Sequence, residues 1–247
     1  MIKKTTFLSF FLFLIFLQSD ISRSTKAPQI YFNGAKVNAE ESPKGNTCVP
    51  KQNVEKKQIT IELVGDSHPL YKIVIDPGHG GADVGTVGIS GRLEKDFTLS
   101  TALKVKRLMD LEPAVTVYLT RTDDTFIPLN DRIIMANQLS ADLYLSIHAN
   151  MVRNSMTKGT ETFFYRESSM FFAQIVHKHV LKATGFPDLH VDYENFRVIK
   201  NTIMPAALVE VGFLSNAAEE KALFMSNNQD KIAAAMMDGI KEYLGIK

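Results

Sequence analysis

From about residue 58 onward, short apolar runs alternate with longer segments of helical period, and few folds accept that alternation. Residues 58–64 place Ile59, Ile61 and Leu63 on one side and read as a strand. Residues 71–75 are apolar enough to lie in the centre of a sheet, and 114–119, 142–147, 160–165 and 207–211 read as further strands. Between them, 94–111, 128–139, 168–184 and 228–244 read as helices. The first of these gathers Leu99, Ala102, Val105, Leu108 and Met109 on half its circumference. The second has proline in its first turn, and the third stops at Gly185-Phe186-Pro187. The expectation is one three-layer α/β/α domain, its sheet mostly parallel (mixed) and covered by helices on both faces.

Ahead of this domain, the chain follows other rules. Lys3 and Lys4 precede an apolar run, residues 7–17, broken only by Ser9, and polar Gln18, Ser19 and Asp20 follow. That order is the grammar of an export signal, and Ser22-Arg23-Ser24 offers a small-x-small cleavage site. Residues 1–24 are therefore read as a signal peptide, with an uncleaved membrane anchor as the alternative. The run is short of the roughly 20 residues that span a bilayer, and no second long apolar run follows, so no integral membrane domain is expected beyond it. Residues 25–57 hold Pro28, Pro43, Pro50, Gly34 and Gly45 and read as a tail or linker, with a small hairpin about Asn33-Gly34. Residues 58–247 are the predicted globular domain.

Charge and cysteine content narrow the chemistry. A formal charge of +1 gives no basic face of the kind nucleic-acid binding needs. Loss of residues 1–24 removes Lys3, Lys4 and Arg23 against Asp20, taking the chain from +1 to about −1. The single cysteine, Cys48, excludes an internal disulfide, a four-cysteine zinc site and an iron–sulfur cluster. Any metal must be held by His, Asp or Glu.

Of the six histidines, His177 and His179 lie two apart on a predicted helix, so they face different ways and read as surface residues. His68 precedes Pro69 in a turn, and His190 reads as structural, in a loop with Asp188, Asp192 and Glu194 that could face substrate. His79 and His148 differ in their frames. In parallel sheets, functional residues gather at the carboxyl ends of strands. Asp76-Pro77-Gly78-His79 ends one predicted strand, His148 ends a second, and Glu210 lies near the end of a third. Glu94 opens a helix after the glycine-rich residues 85–91. Asp76 reads equally as an orienting partner for an imidazole or as a structural strand-end residue. A charged Glu210 within the apolar 207–211 run is costly without partners.

Four ordered motifs then carry a resemblance. Asp76-Pro77-Gly78-His79-Gly80-Gly81, Glu94-Lys95-Asp96, Ser146-Ile147-His148-Ala149-Asn150 and Val209-Glu210-Val211-Gly212-Phe213-Leu214-Ser215-Asn216 resemble the zinc-dependent N-acetylmuramoyl-L-alanine amidases, which cleave cell-wall peptidoglycan. The likeness spans about residues 71–245 and includes Leu119-Thr120-Arg121-Thr122-Asp123, Arg132 and Ala136-Asn137. It implies one zinc ion bound by His79, Glu94 and His148, and Glu210 as catalytic carboxylate. Two imidazoles and a carboxylate are a familiar catalytic zinc set, and no His-Glu-x-x-His helix competes with it.

The resemblance further implies hydrolysis of the amide between N-acetylmuramic acid and L-alanine. Asn150 and Lys200 are candidate substrate contacts, Lys200 standing where the family often has arginine. Some relatives carry an inhibitory helix between the second zinc histidine and the catalytic glutamate. Here that stretch is largely used by a strand and the 168–184 helix, so a site open without an activator is expected. The expected setting is periplasm or outer wall, the partner peptidoglycan, and the state a monomer. The competing readings are a zinc peptidase acting on stem-peptide bonds and a non-catalytic peptidoglycan-binding regulator.

Overall fold

The computed structural model describes residues 71–247, and the expected strand at 58–64, the linker and the export signal lie outside the described residues. Six strands form one sheet: β1 (Tyr71–Pro77), β2 (Val115–Leu119), β3 (Leu143–Asn150), β4 (Thr160–Phe164), β5 (Asp188–Tyr193) and β6 (Ala206–Phe213). Their spatial order is β2-β1-β3-β6-β4-β5. β2, β1, β3 and β6 run parallel, whereas β4 is antiparallel to β6 and carries β5 parallel to itself. The sheet is thus mixed, with its reversal confined to one side.

Helices cover both faces. α1 (Glu94–Met109), α3 (Glu167–Thr184) and α6 (Ser226–Leu244) pack on the face formed by Ile73, Ile75, Leu145, Ile147, Val209 and Val211. The opposite face, with Val74, Tyr144 and Leu208, is covered by α2 (Leu129–Gln138) and the one-turn α4 (Arg197–Lys200). Burial strictly alternating between the two clusters is what a sheet of period two requires. α5 (Ala217–Leu223) follows β6, its N-terminus capped by the Asn216 side chain, which accepts from the amides of Ala218 and Glu219. Among the described residues, no helix is long and apolar enough to cross a membrane.

Three elements depart from the sequence reading. β5 was expected as a loop because Pro187, three acidic residues and a histidine crowd it; it is an edge strand whose side chains are largely exposed, so its apolar alternation is faint. α4 and α5 are too short to show a helical period. His177 is a correction: it is buried, with Nδ1 against the Thr162 hydroxyl at 2.9 Å and Nε2 against Asp188 at 3.0 Å, and joins α3 to β4 and β5. His179 beside it pairs with Glu242 at 2.7 Å, and His190 is an exposed β5 residue with φ 76° whose amide donates to Asp188.

Crossing over from β1 to β2 on one side and later to β3 on the other creates a switch point at the carboxyl ends of β1 and β3. Ligand crevices in such sheets open there. On the α2/α4 face these helices cover the lower rows, Val74, Tyr144 and Leu208, and the next rows toward the carboxyl ends carry polar side chains.

The α3–α6 layer tests this packing. Phe172 is fully buried, its ring 5.1 Å from that of Tyr243. Phe172→Ala is expected to lower stability by about 3–5 kcal/mol, read as a lower denaturant midpoint.

Candidate active site

A buried ion pair anchors the strand end that leads to His79. Asp76 accepts from Arg132 Nη1 at 2.7 Å, Thr120 Oγ1 at 2.6 Å and Ser146 Oγ at 2.8 Å, linking β1 to β2, β3 and α2. Burial opposes its charge, but Arg132 and these donors outweigh it and hold the carboxyl below its ordinary value. Of the two readings of Asp76, the structure favours the strand-end role, since its partners are these groups and no imidazole.

The loop beyond it is held by its carbonyl oxygens. Arg132 donates to those of Pro77 and His79, both at 2.7 Å, while Arg121 donates to Pro77 and Gly78 and Lys95 to Gly81. His79 consequently sits at φ 63°, a left-handed conformation that ordinary residues rarely adopt. Its Nδ1 meets Asp83 Oδ1 at 2.9 Å, which turns Nε2 to Glu94 Oε2 at 3.2 Å.

Glu94 opens α1 and is buried. Its Oε1 lies 2.9 Å from His148 Nδ1 and accepts from the Ala149 amide at 3.1 Å; Oε2 accepts from the Thr86 amide at 2.8 Å. The two imidazole rings meet edge to face, with centroids 4.9 Å apart. One donor atom from each of His79, Glu94 and His148 falls within 4.8 Å of the others, and no fourth such side chain joins them among the described residues. This group could hold a metal ion.

Electrostatics fit a cation at that point. Burial disfavours an imidazolium at His79, yet Asp83 and Glu94 push its pKa up to about 10. Burial likewise opposes the Glu94 charge, and the two imidazoles overcome it, holding the carboxyl well below the usual carboxylate range. Both shifts express one demand, positive charge between the rings, which a divalent ion supplies. The Asp83 contact has the form of the carboxylate–histidine–metal arrangement that fixes tautomer and ring orientation.

Glu210 is brought beside this group by strand register. It lies inside β6, directly across from His148 on β3, and directly across from Glu161 on β4. His148, Glu210 and Glu161 therefore form a row on one face, each about 4.8 Å from the next strand's backbone. Glu210 Oε2 is buried with no hydrogen-bond partner, and burial together with Glu94 and Glu161 raises its pKa well above the ordinary value.

The two candidate substrate contacts part company. Asn150 ends β3 and donates from Nδ2 to Glu161 Oε2 at 2.8 Å. Lys200 lies over the Tyr165 ring, 5.2 Å from its centroid. Tyr165 lies just past the end of β4 opposite to Glu161, so the contact observed for Lys200 is not with the row. Sequence reasoning missed Asp83 and Glu161. Asp83 had a local signal, an acid four residues after His79 in a glycine-rich loop, whereas Glu161 had none.

Matching of this chain to known proteins agrees with the geometry. Residues 73–242 match the model of the N-acetylmuramoyl-L-alanine amidase family. The chain belongs to that family. The catalytic domain of CwlV, N-acetylmuramoyl-L-alanine amidase from Bacillus (Paenibacillus) polymyxa var. colistinus, is 47% identical with TM-score 0.71, covering 72% of this chain and 99% of that one. An N-acetylmuramoyl-L-alanine amidase from Clostridium difficile 630 is 36% identical with TM-score 0.70, covering 73% and 100%. The "Probable cell wall amidase LytH" of Staphylococcus aureus is 34% identical over 191 residues, 74% of this chain, and the chain spans 64% of that curated relative's length.

Close approach at two glycines makes the amidase-family site sensitive to single atoms. A Cβ on Gly78 would overlap the His148 ring, and one on Gly85 would stand 2.6 Å from His79 Cδ2 and 2.7 Å from Glu94 Oε2. Gly78→Ala is expected to displace His148 and weaken metal binding by at least about tenfold, measured by equilibrium dialysis with metal quantification.

Proposed function

We propose that this chain is an exported zinc-dependent amidase that hydrolyses the bond between N-acetylmuramic acid and the L-alanine of the peptidoglycan stem peptide. The observation that carries this reading is the group of His79, Glu94 and His148 with Glu210 in register beside it. Membership of the amidase family supports the substrate class. Residues 1–24 would serve as export signal or anchor, 25–57 as a tail, and 58–247 as the catalytic domain, acting in the periplasm or outer wall.

His79, Glu94 and His148 would hold one zinc ion, the open two-imidazole, one-carboxylate set of catalytic sites. When bound, zinc supplies Lewis acidity toward the scissile carbonyl and acidifies water to a pKa of about 7. Glu210 takes the proton of the attacking water and delivers it to the departing L-alanine nitrogen. The raised proton affinity of its buried carboxyl suits this carrier role, because the proton must stay on Glu210 between the two transfers. Asp83 keeps the His79 ring oriented throughout, and the glycines at 78 and 85 leave room for both imidazoles.

Mass spectrometry of digested muropeptides tests the reading. Expected products are glycans with free lactyl carboxyls and intact stem peptides beginning with a free L-alanine amine. Cleavage within the stem peptide would favour a peptidase, and no cleavage with retained wall binding would favour a regulator. Glu210→Gln is expected to keep one zinc and lose about 10²–10⁴ in kcat, whereas His79→Ala loses the metal itself. Full turnover in Glu210→Gln would overturn its assignment.

A further inference from the structure

Two glutamates facing each other across an antiparallel pair are an unfavourable arrangement, since like charges directly opposite repel. Glu161 and Glu210 are such a pair. Asp192 on β5 stands one step off this pair, its strand partner being Phe163, two residues beyond Glu161 on the same face. No lysine or arginine forms an ion pair with Glu161, Glu210 or Asp192 among the described residues. Lysine and arginine thus leave these three carboxyls unbalanced, Glu210 buried at Oε2 and the other two at least partly exposed.

Glu161 is nevertheless held in a defined place. Its Oε2 accepts from Asn150 Nδ2 at 2.8 Å, and Asn150 Oδ1 accepts from the Met151 amide at 2.7 Å, which fixes the side-chain amide the right way round. The other oxygen, Oε1, has no hydrogen bond among the described residues, and the residue is partly exposed. A carboxylate fixed on one oxygen and open on the other is a hydrogen-bond acceptor in search of a donor. It stands one strand beyond Glu210, which is itself one strand beyond His148. Glu210, whose Oε2 is buried without a hydrogen-bond partner, is the residue between them.

Amide hydrolysis creates the missing cation. The bond between carbonyl carbon and nitrogen breaks, water's oxygen goes to the carbonyl carbon, and the nitrogen leaves with a proton delivered by Glu210. At neutral pH the released α-amine takes a further proton from solvent, its pKa being about 7.7–8.0. The ammonium so formed lies where Glu161 offers an acceptor oxygen that no protein donor occupies among the described residues. We propose that Glu161 is a substrate-positioning residue that accepts the nitrogen of the scissile amide as it leaves and binds it as the product's ammonium, an assignment that rests on the amidase reading above. The same carboxylate repels the acidic groups of a stem peptide and so orders the peptide with its amine toward Glu210 and its acids away.

Calorimetric titration of the zinc-loaded full chain tests this directly. The probes are a stem tripeptide beginning with a free L-alanine amine and the same peptide N-acetylated. The wild type is expected to bind the free amine about tenfold more tightly than the acetylated form, the size of one charge-assisted hydrogen bond. In E161Q, which keeps the oxygen that Asn150 contacts, the preference is expected to vanish, with zinc content and melting temperature unchanged and kcat/KM down about 10–100-fold. Asn150→Ala leaves the carboxylate but frees it, and is expected to lose part of the preference. Equal affinity for both peptides in the wild type, or a full amine preference in E161Q or Asn150→Ala, overturns the proposal. Failure of the wild type to release lactyl-linked alanine overturns the amidase reading instead, while amidase cleavage with an undiminished amine preference in E161Q overturns only the role of Glu161.

Discussion

The buried pair of Asp76 and Arg132 is the point on which the site is hung. Both side chains are 2% exposed, and removal of one member of such a pair costs about 3–5 kcal/mol because the other stays behind uncompensated. Here the pair does more than close a charge. Asp76 gathers donors from β2, β3 and α2, and Arg132 spends its remaining donors on the carbonyls of Pro77, His79 and Ile127. The left-handed backbone at His79 is thereby secured by the core below it, and the imidazole is aimed before any ligand arrives.

Register supplies the rest. Parallel pairing of β3 with β6 sets Glu210 against His148, and the antiparallel return of β4 sets Glu161 against Glu210. His148, Glu210 and Glu161 thus become neighbours through the backbone pairing of three strands. Burial on the α2/α4 face gives way at this row, where His148, Glu210 and Glu161 are each partly exposed. From the far side, α5 braces the frame: Glu219 accepts from the amides of Gly159 and Phe213, and Glu220 from the amide and hydroxyl of Ser90. Those contacts tie the start of β4, the end of β6 and the loop leading to Glu94 to one short helix.

Much of this was legible in the chain because it is local. Strands β1, β2, β3, β4 and β6 and helices α1, α2, α3 and α6 announce themselves by period, and their observed bounds differ from the expected ones by a few residues at most. His79, Glu94, His148 and Glu210 stand out through motif and frame. What escaped depends on partners distant in sequence. Glu161 looks like any exposed acid in a strand until β4 pairs with β6, and His177 looks like a surface residue until β5 brings Asp188 to it. β5 itself is an edge strand, where exposure removes the apolar alternation that marks central strands. Lys200 is singled out by its place in a motif, and the contact it makes here is with the Tyr165 ring.

The central claim is that three side chains from separate loops and strands converge on one ion at the switch point of this sheet. Anomalous diffraction at the zinc edge, from crystals of the full chain grown with zinc, measures it most directly. The account predicts a peak about 2.0–2.2 Å from one donor atom each of His79, Glu94 and His148. A peak centred elsewhere, such as at His177 and Asp188, or one lacking any of the three ligands, would contradict it.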